Sequence, residues 1–378
     1  MRSLDAARQA CDKHHPGLGA ALAAIPLLER EVAGSPVIEL FRKLGGVGLL
    51  VPPEFGGDGA SALEAVRVMR GLSSYSPSLG AAVTMHHFTA AMLFSLAGKA
   101  ERLTVRQRDL LARVVPDGLL MASGWAEGSP DQNILRPSVT ATRDGKDWLL
   151  NGGKKPCSLS GSMDLLTASV ALPYRRRKTL ALALVPADAA GIEVKPFWSS
   201  SVLAAAQSDE VRLTNVRVPD ELVIRTRPDD PHCIDDLQAA GFAWFVLLIS
   251  SVYAGAASEL TARVLHGQRG SVTDRAAVAV AVESTAGQLE GVARAIDDGL
   301  SGDEAVSAVL VARYAAQTTL AAAVDLAVEL LGGMAFIRSS EVAYLSSAVR
   351  ALAFHPPSRS SAAEPLLGYL TGGPLELS

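Results

Sequence analysis

The chain has 378 residues, 49% of them hydrophobic and 20% charged, with a formal net charge of -4. A chain of this length buries about 75% of the surface that it exposes when unfolded. This composition excludes a small stapled module, a basic nucleic-acid-binding surface and a disordered tail.

Cys11, Cys157 and Cys233 are far apart and in no CxxC pair, so neither a disulfide framework nor a zinc site is expected. The N-terminal stretch MRSLDAARQACDKHHPG is charged and has no apolar signal core. A reducing, cytoplasmic setting is expected, with no metal.

Residues 1–117 are rich in Ala and Leu at helical spacing, broken at 51–59 by VPPEFGGDG, whose prolines and glycines force a loop. From 118 the grammar changes to short β-branched or alternating runs such as SVTATRD, DWLLNGGKK and TLALALVPA. Asp-Gly, Asn-Gly-Gly and Pro-Asp turns between them predict an antiparallel meander or barrel over 118–228.

In 229–378 apolar residues return to helical spacing at 236–266, 273–299, 303–331 and 339–354, with LHGQRGSVTD and LSGDE as punctuation. Four such helices predict an antiparallel bundle. Residues 237–258 carry no charge and are long enough to span a bilayer, but they lack basic flanks. A helix buried on all sides is the better reading, and no membrane partner is expected.

Helices, then a β-domain, then a four-helix bundle make an α+β, mostly α chain, and this order resembles that of the acyl-CoA dehydrogenase family. LGGVGLLVPPEFGGDG (44–59), ATRDGKDWLLNGGKK (141–155), VRLTNVRVPDELV (211–223) and AVELLGGMAF (327–336) are similar to family segments in the same order. The resemblance covers the whole chain. It implies FAD held between the β-domain and the bundle, its diphosphate reaching a neighbouring subunit, with protein groups supplying position and electrostatics.

The resemblance also assigns binding positions. HGQRG (266–270) is similar to the family's diphosphate-binding Arg-x-Gln-Phe-Gly, with His266 in the Arg position, Gln268 and Gly270 kept, and Arg269 in place of the Phe. Gly332 and Gly333 match the Gly-Gly that lets backbone approach a phosphate. The family's Gln before that pair is Glu329 here. Around the flavin ring, SGWAEGSPDQ (123–132) and KKPCSLSGS (154–162) place Trp125 where the family has Thr, Pro156 where it has Trp and Ser158 where it has a second Thr.

The family's catalytic Glu, in a Tyr-Glu-Gly-Thr turn after the last bundle helix, falls on Pro356, or on His355 if shifted by one, within LAFHPPSRSS (352–361). The alternative base position on the first bundle helix falls on Phe245. Candidate replacements are His355, Glu364, and His86 and His87 in TMHHFTAAM (84–92).

Three readings follow from the resemblance. The first is an FAD oxidoreductase that α,β-oxidises an acyl thioester, on CoA or an acyl carrier protein, with a non-standard base. The second is a flavin monooxygenase using reduced flavin from a partner reductase and oxygen, which needs no carboxylate base. The third is a silent homologue with a structural role. A homodimer or homotetramer is implied throughout.

Overall fold

A computed structural model describes residues 1–97, 102–128, 136–174, 177–225 and 236–377. Seven helices come first: α1 (Arg2–His14), α2 (Leu18–Ala23), α3 (Leu27–Arg30), α4 (Val37–Lys43), α5 (Ala62–Tyr75), α6 (Pro77–Ala97) and α7 (Val105–Ala112). Capping boxes start α5, through Ser61 and Glu64, and α7, through Thr104 and Gln107. Each box satisfies amide groups that the first helical turn leaves without partners.

The strands are β1 (Met121–Gly124), β2 (Thr140–Asp144), β3 (Asp147–Cys157), β4 (Leu165–Tyr174), β5 (Arg177–Pro186), β6 (Ile192–Lys195), β7 (Asp209–Pro219) and β8 (Val223–Arg225). They form one sheet in the order β6-β7-β3-β2-β4-β5-β8, with β1 paired to β4. The Asp-Gly signal gives the expected β2–β3 hairpin, closed across Asp144 and Asp147, with Gly145 at a φ of 61°.

Two expectations needed correction. The sheet is not purely antiparallel, because β1 and the start of β2 run parallel to β4. Asn-Gly-Gly is a bulge inside β3 rather than a turn: the β3–β7 register shifts between Leu150 and Gly152. Gly152 has a φ of 145°, and a Cβ there would lie 2.8 Å from Val139 Cγ2. The junction expected at 228–229, Cys233 and residues 129–132 of the SGWAEGSPDQ turn lie outside the described residues.

The C-terminal helices are α8 (Asp236–Gly267), α9 (Val272–Asp297), α10 (Gly302–Leu331), α11 (Gly333–Arg338), α12 (Ser340–Arg350) and α13 (Arg359–Leu370). The four expected bundle helices are α8, α9, α10 and α12; α11 and α13 are additional. Two helices, α6 and α8, are long and apolar enough to cross a membrane by length and composition, and both are mostly buried against other elements. In α8, Ser250 and Ser251 return their hydroxyls to the carbonyls of Val246 and Leu247, which hides polar groups inside an apolar helix.

Side chains tie the N-terminal helices to the bundle. Arg67 makes a two-pronged contact with Glu290 at 2.9 and 2.8 Å, and Asp297 accepts from the first amides of α5, those of Ala62 and Leu63. Glu31 is buried and accepts from Ser76, from Ser78 and from Tyr344 of α12. Burial raises its pKa, and these donors oppose that rise. The result is one core across all three regions.

Candidate functional site

The first group of expected site residues lies at the turn between α8 and α9. Gly270, at a φ of 76°, lies so close to α10 that a Cβ would meet Leu330 Cδ2 at 2.3 Å. This packing carries Arg269 to the end of α10, where its Nη1 donates to the Leu331 carbonyl at 3.1 Å. Gly332 adopts a φ of 83°, and its absent Cβ would sit 3.6 Å from Arg269 Nη1. Arg269 and Gly332 therefore meet, while Gly333 and Glu329 are exposed.

In the second group, β1 delivers Gly124 and Trp125. A buried ion pair fixes the turn that follows: Lys154 Nζ lies 2.6 Å from Glu127 Oε1, with side-chain exposures of 0% and 3%. Glu127 also accepts from the amides of Ser138 and Val139, and Lys154 donates to Ser169 Oγ. Burial lowers the Lys154 pKa to about 8, against the attraction of Glu127. Lys155 donates its amide to Ala126, which closes the turn from the other side.

Trp125 is half-buried, and its indole Nε1 is buried with no partner among the described residues. A buried donor left unsatisfied costs about 1–3 kcal/mol. The chemistry of this position thus fits a flat ligand that carries acceptors at its edge. Ser158 Oγ lies 2.9 Å from Ser208 Oγ, so one of its hydrogen-bonding positions is already shared.

A third group joins α6, α8 and the 351–358 segment, a short 3-10 helix over Ala351–Phe354 followed by an irregular stretch. Phe88 meets Phe245 edge to face at 5.4 Å between centroids, and Phe245 meets His355 at 5.8 Å in the same manner. Tyr253, about two turns along α8, places its hydroxyl 2.6 Å from His355 Nε2. The two positions where the family's base would stand, Phe245 and His355–Pro356, are therefore brought into contact. Neither presents a carboxylate.

Arg313 of α10 holds the segment in place. Its Nη1 donates to Pro356 O at 3.1 Å, and its Nη2 donates to Leu352 O at 3.3 Å and to His355 O. Tyr314 adds its hydroxyl to the carbonyls of Pro357 and Ser358. Ser358 then caps α13 by accepting from the Ser361 amide. Arg313 is 0% exposed, and among the described residues its hydrogen-bond partners are carbonyls rather than carboxylates.

Burial pushes the His355 pKa down to about 3, and the Arg313 charge pushes it in the same direction. Part of the residue still reaches the surface. Burial also raises the Tyr253 pKa above its ordinary value, so the phenol stays neutral. A neutral, buried phenol whose one partner is His355 donates to it. From these partners Nε2 is assigned as the acceptor and Nδ1 as the protonated nitrogen.

The other candidates lie elsewhere. His86 is 0% exposed; its Nε2 donates to Val47 O at 2.9 Å, and its Nδ1 accepts from the Met121 amide at 3.1 Å. Burial lowers its pKa to about 4. His87 is equally buried, lies edge-on to Phe41 and His86, and has no partner on either ring nitrogen. Glu364 is exposed on α13.

On α6 it is Phe88 that reaches the site. Residues two apart on a helix point about 200° apart, so Phe88 and His86 take opposite faces. Reasoning from residue types favoured the imidazoles and missed Phe88, Tyr253 and Arg313. One signal was available: Arg313 is the sole charged residue between Glu304 and Asp325 in an otherwise Ala- and Val-rich helix.

Comparison with known proteins bears on this geometry. Residues 5–104 match the family described as acyl-CoA dehydrogenase, N-terminal domain. The chain is 60% identical over 378 residues to an isobutylamine N-hydroxylase from Streptomyces viridifaciens, covering 100% of both chains. It is 25% identical over 331 residues to an acyl-CoA dehydrogenase from Mycobacterium tuberculosis, covering 84% of this chain and 83% of the relative.

Among solved structures, a nitrososynthase from Micromonospora carbonacea var. africana superposes with a TM-score of 0.84 at 20% identity, covering 97% of each chain. That likeness is one of fold. Full-length identity, the matched N-terminal region and the order of the three regions agree: this chain belongs to the acyl-CoA dehydrogenase family.

Proposed function

We propose that this protein is a flavin-dependent monooxygenase that places one atom of molecular oxygen on the nitrogen of a small aliphatic amine, giving a hydroxylamine, with a separate reductase supplying reduced flavin. The observation that carries this reading is the joining of Phe245 and His355 in a site where neither base position holds a carboxylate. Removing a proton from carbon α to a thioester needs a positioned base of suitable pKa. An imidazole held near pKa 3 with Nε2 already engaged is poorly suited to that task. The full-length relative named for N-hydroxylation of isobutylamine supports the same choice of chemistry and substrate class.

The residues fit a flavin, with FAD as the proposed form. Trp125 offers a buried unpaired donor to the ring edge, Ser158 a hydroxyl, and Arg269 with Gly332 and Gly333 a cationic, backbone-open place for the diphosphate. When bound, the reduced flavin supplies the two electrons that let one oxygen atom reach the amine and the other leave as water.

The protein's own contribution is shape and hydrogen bonding. Phe88 and Phe245 give the alkyl group an apolar wall that excludes water. Tyr253 fixes the His355 tautomer, so Nδ1–H is the donor offered to an oxygen, and Arg313 fixes the backbone that carries His355. The homodimer or homotetramer implied by the family remains part of the proposal, to be read by light scattering.

The deciding experiment mixes FAD-loaded protein with acyl-CoAs without air, and separately measures oxygen uptake with reductase, NADH and isobutylamine. Amine-dependent uptake with no bleaching by acyl-CoA is expected. Bleaching of the oxidised flavin by an acyl-CoA would restore the dehydrogenase reading, and loss of flavin binding would favour the silent homologue.

A further inference from the structure

We propose that this site takes its amine as the neutral base rather than as the ammonium ion, because the charge built into its wall is a buried cation, Arg313, with no acid beside it among the described residues. The inference rests on the amine reading given above. It follows from what each element presents to His355. Helix α6 contributes Phe88, α8 contributes Phe245 and Tyr253, and α10 contributes Arg313 and Tyr314.

Among the described residues, the charge that acts on His355 and on Tyr253 is that of Arg313 alone. Among the described residues Arg313 makes no hydrogen bond to a carboxylate, and its guanidinium lies 5.4 Å from the centre of the Tyr314 ring. Its Nη1 and Nη2 donate to the carbonyls of Leu352, His355 and Pro356, while its Nε is buried with no partner among the described residues. Charged neighbours further out are paired away from the site: Arg350 with Asp325, and Arg359 with Thr318.

An ammonium placed here would lose its water without gaining a carboxylate, and it would meet a like charge. Buried charges are tolerated when they are paired, and this one would not be. Cation–π attraction to Phe88, Phe245 or Tyr253 works the other way, but it is weaker than the loss of hydration of an unpaired cation. His355 remains neutral across the working range and adds no charge of either sign.

The neutral form is also the one that reacts. The nitrogen lone pair must form the new bond to oxygen, and an ammonium has none to offer. A wall that admits only the free amine thus selects the nucleophile at the binding step. Arg313 acts here as a positioning residue with an electrostatic role, and it touches neither substrate nor oxygen.

The test counts protons. Isobutylamine is titrated calorimetrically into FAD-reconstituted protein at pH 7.5, in two buffers of different ionisation enthalpy. A simple alkyl amine is almost wholly protonated at that pH, given a pKa near the roughly 10.4 of a lysine side chain. Binding of the neutral form therefore releases about one proton per amine, and the apparent Kd falls about tenfold for each unit of pH from 7 to 9.

Isobutanol, a neutral isostere, is expected to compete. Binding with no proton release and a pH-independent Kd would overturn this inference and leave the amine reading intact. No binding by any aliphatic amine, under conditions where an acyl-CoA binds, would remove the amine reading and this inference together.

Discussion

Helix α6 and the 351–358 segment both hold histidines, and they use them in opposite ways. His86 spends both ring nitrogens on backbone groups of Val47 and Met121 and serves as a strut between the first domain and β1. His355 keeps one nitrogen for Tyr253 and lies against Phe245 in the site. The difference teaches where position comes from. On α6 the helical period decides which residue faces the site, and a step from His87 to Phe88 changes the answer. His355 lies just past a short 3-10 helix, Ala351–Phe354, where no period applies, and its placement is set by Arg313 from a distant helix.

The largest expected effect concerns pH, and it joins the two regions before variants separate them. The pKa falls to about 4 for His15 and His86 and to about 3 for His355, and that of His87 is well below its ordinary 6.5. Between those values and 6.5 the unfolded chain binds protons that the folded chain does not, so stability rises with pH there and levels off above 6.5. Each imidazole contributes about 1.4 kcal/mol per pH unit inside that window. Urea midpoints measured from pH 7 down to 4.5 should fall steeply, and His86→Gln and His355→Gln should each flatten the fall by one proton's share. A pH-independent midpoint would show that these rings are not buried as neutral groups.

Next in size is Arg313→Met, which strands the carbonyls of Leu352, His355 and Pro356 and should lower stability by about 3 kcal/mol. Arg313→Lys should recover only part of that, because an ammonium lacks the guanidinium fork. Stability equal to wild type in Arg313→Met would mean that the segment holds itself.

The comparison is sharpest in a swap of readouts. His86→Ala should lower stability by about 2 kcal/mol with turnover per folded molecule within about twofold, since two buried hydrogen bonds are lost far from the chemistry. His355→Gln should do the reverse, lowering kcat/KM by about 100-fold with stability changed by about 1 kcal/mol at most. If the two variants exchanged these signatures, the assignment of strut and site would be inverted. Smallest is Tyr253→Phe, which removes one hydrogen bond and should reduce kcat/KM by about tenfold, read with the pH profile to detect a freed imidazole.

Much of the fold was legible because its signals are local. Helical spacing in Ala-rich runs, alternation in the strands and the Asp-Gly of the β2–β3 hairpin each act within a few residues, and their order was enough for the architecture. Asn-Gly-Gly was misjudged because the same residues serve a turn and a bulge; Gly152 is required by the closeness of Val139, just before β2, which no local pattern contains. The site was only half legible. LAFHPPSRSS marked the right place by what it lacks, a carboxylate, yet its working parts are Tyr253 from α8 and Arg313 from α10. Those partners lie 102 and 42 residues from His355 along the chain.

The central claim is that oxygen from air ends on an amine nitrogen. The most direct measurement supplies the protein with FAD, a reductase, NADH, isobutylamine and isotopically heavy oxygen gas, and weighs the product. The account predicts a hydroxylamine carrying one heavy oxygen atom, formed only when protein, reductase and oxygen are all present. A product whose oxygen comes from water, or an enoyl thioester formed from an acyl-CoA without oxygen, would contradict it.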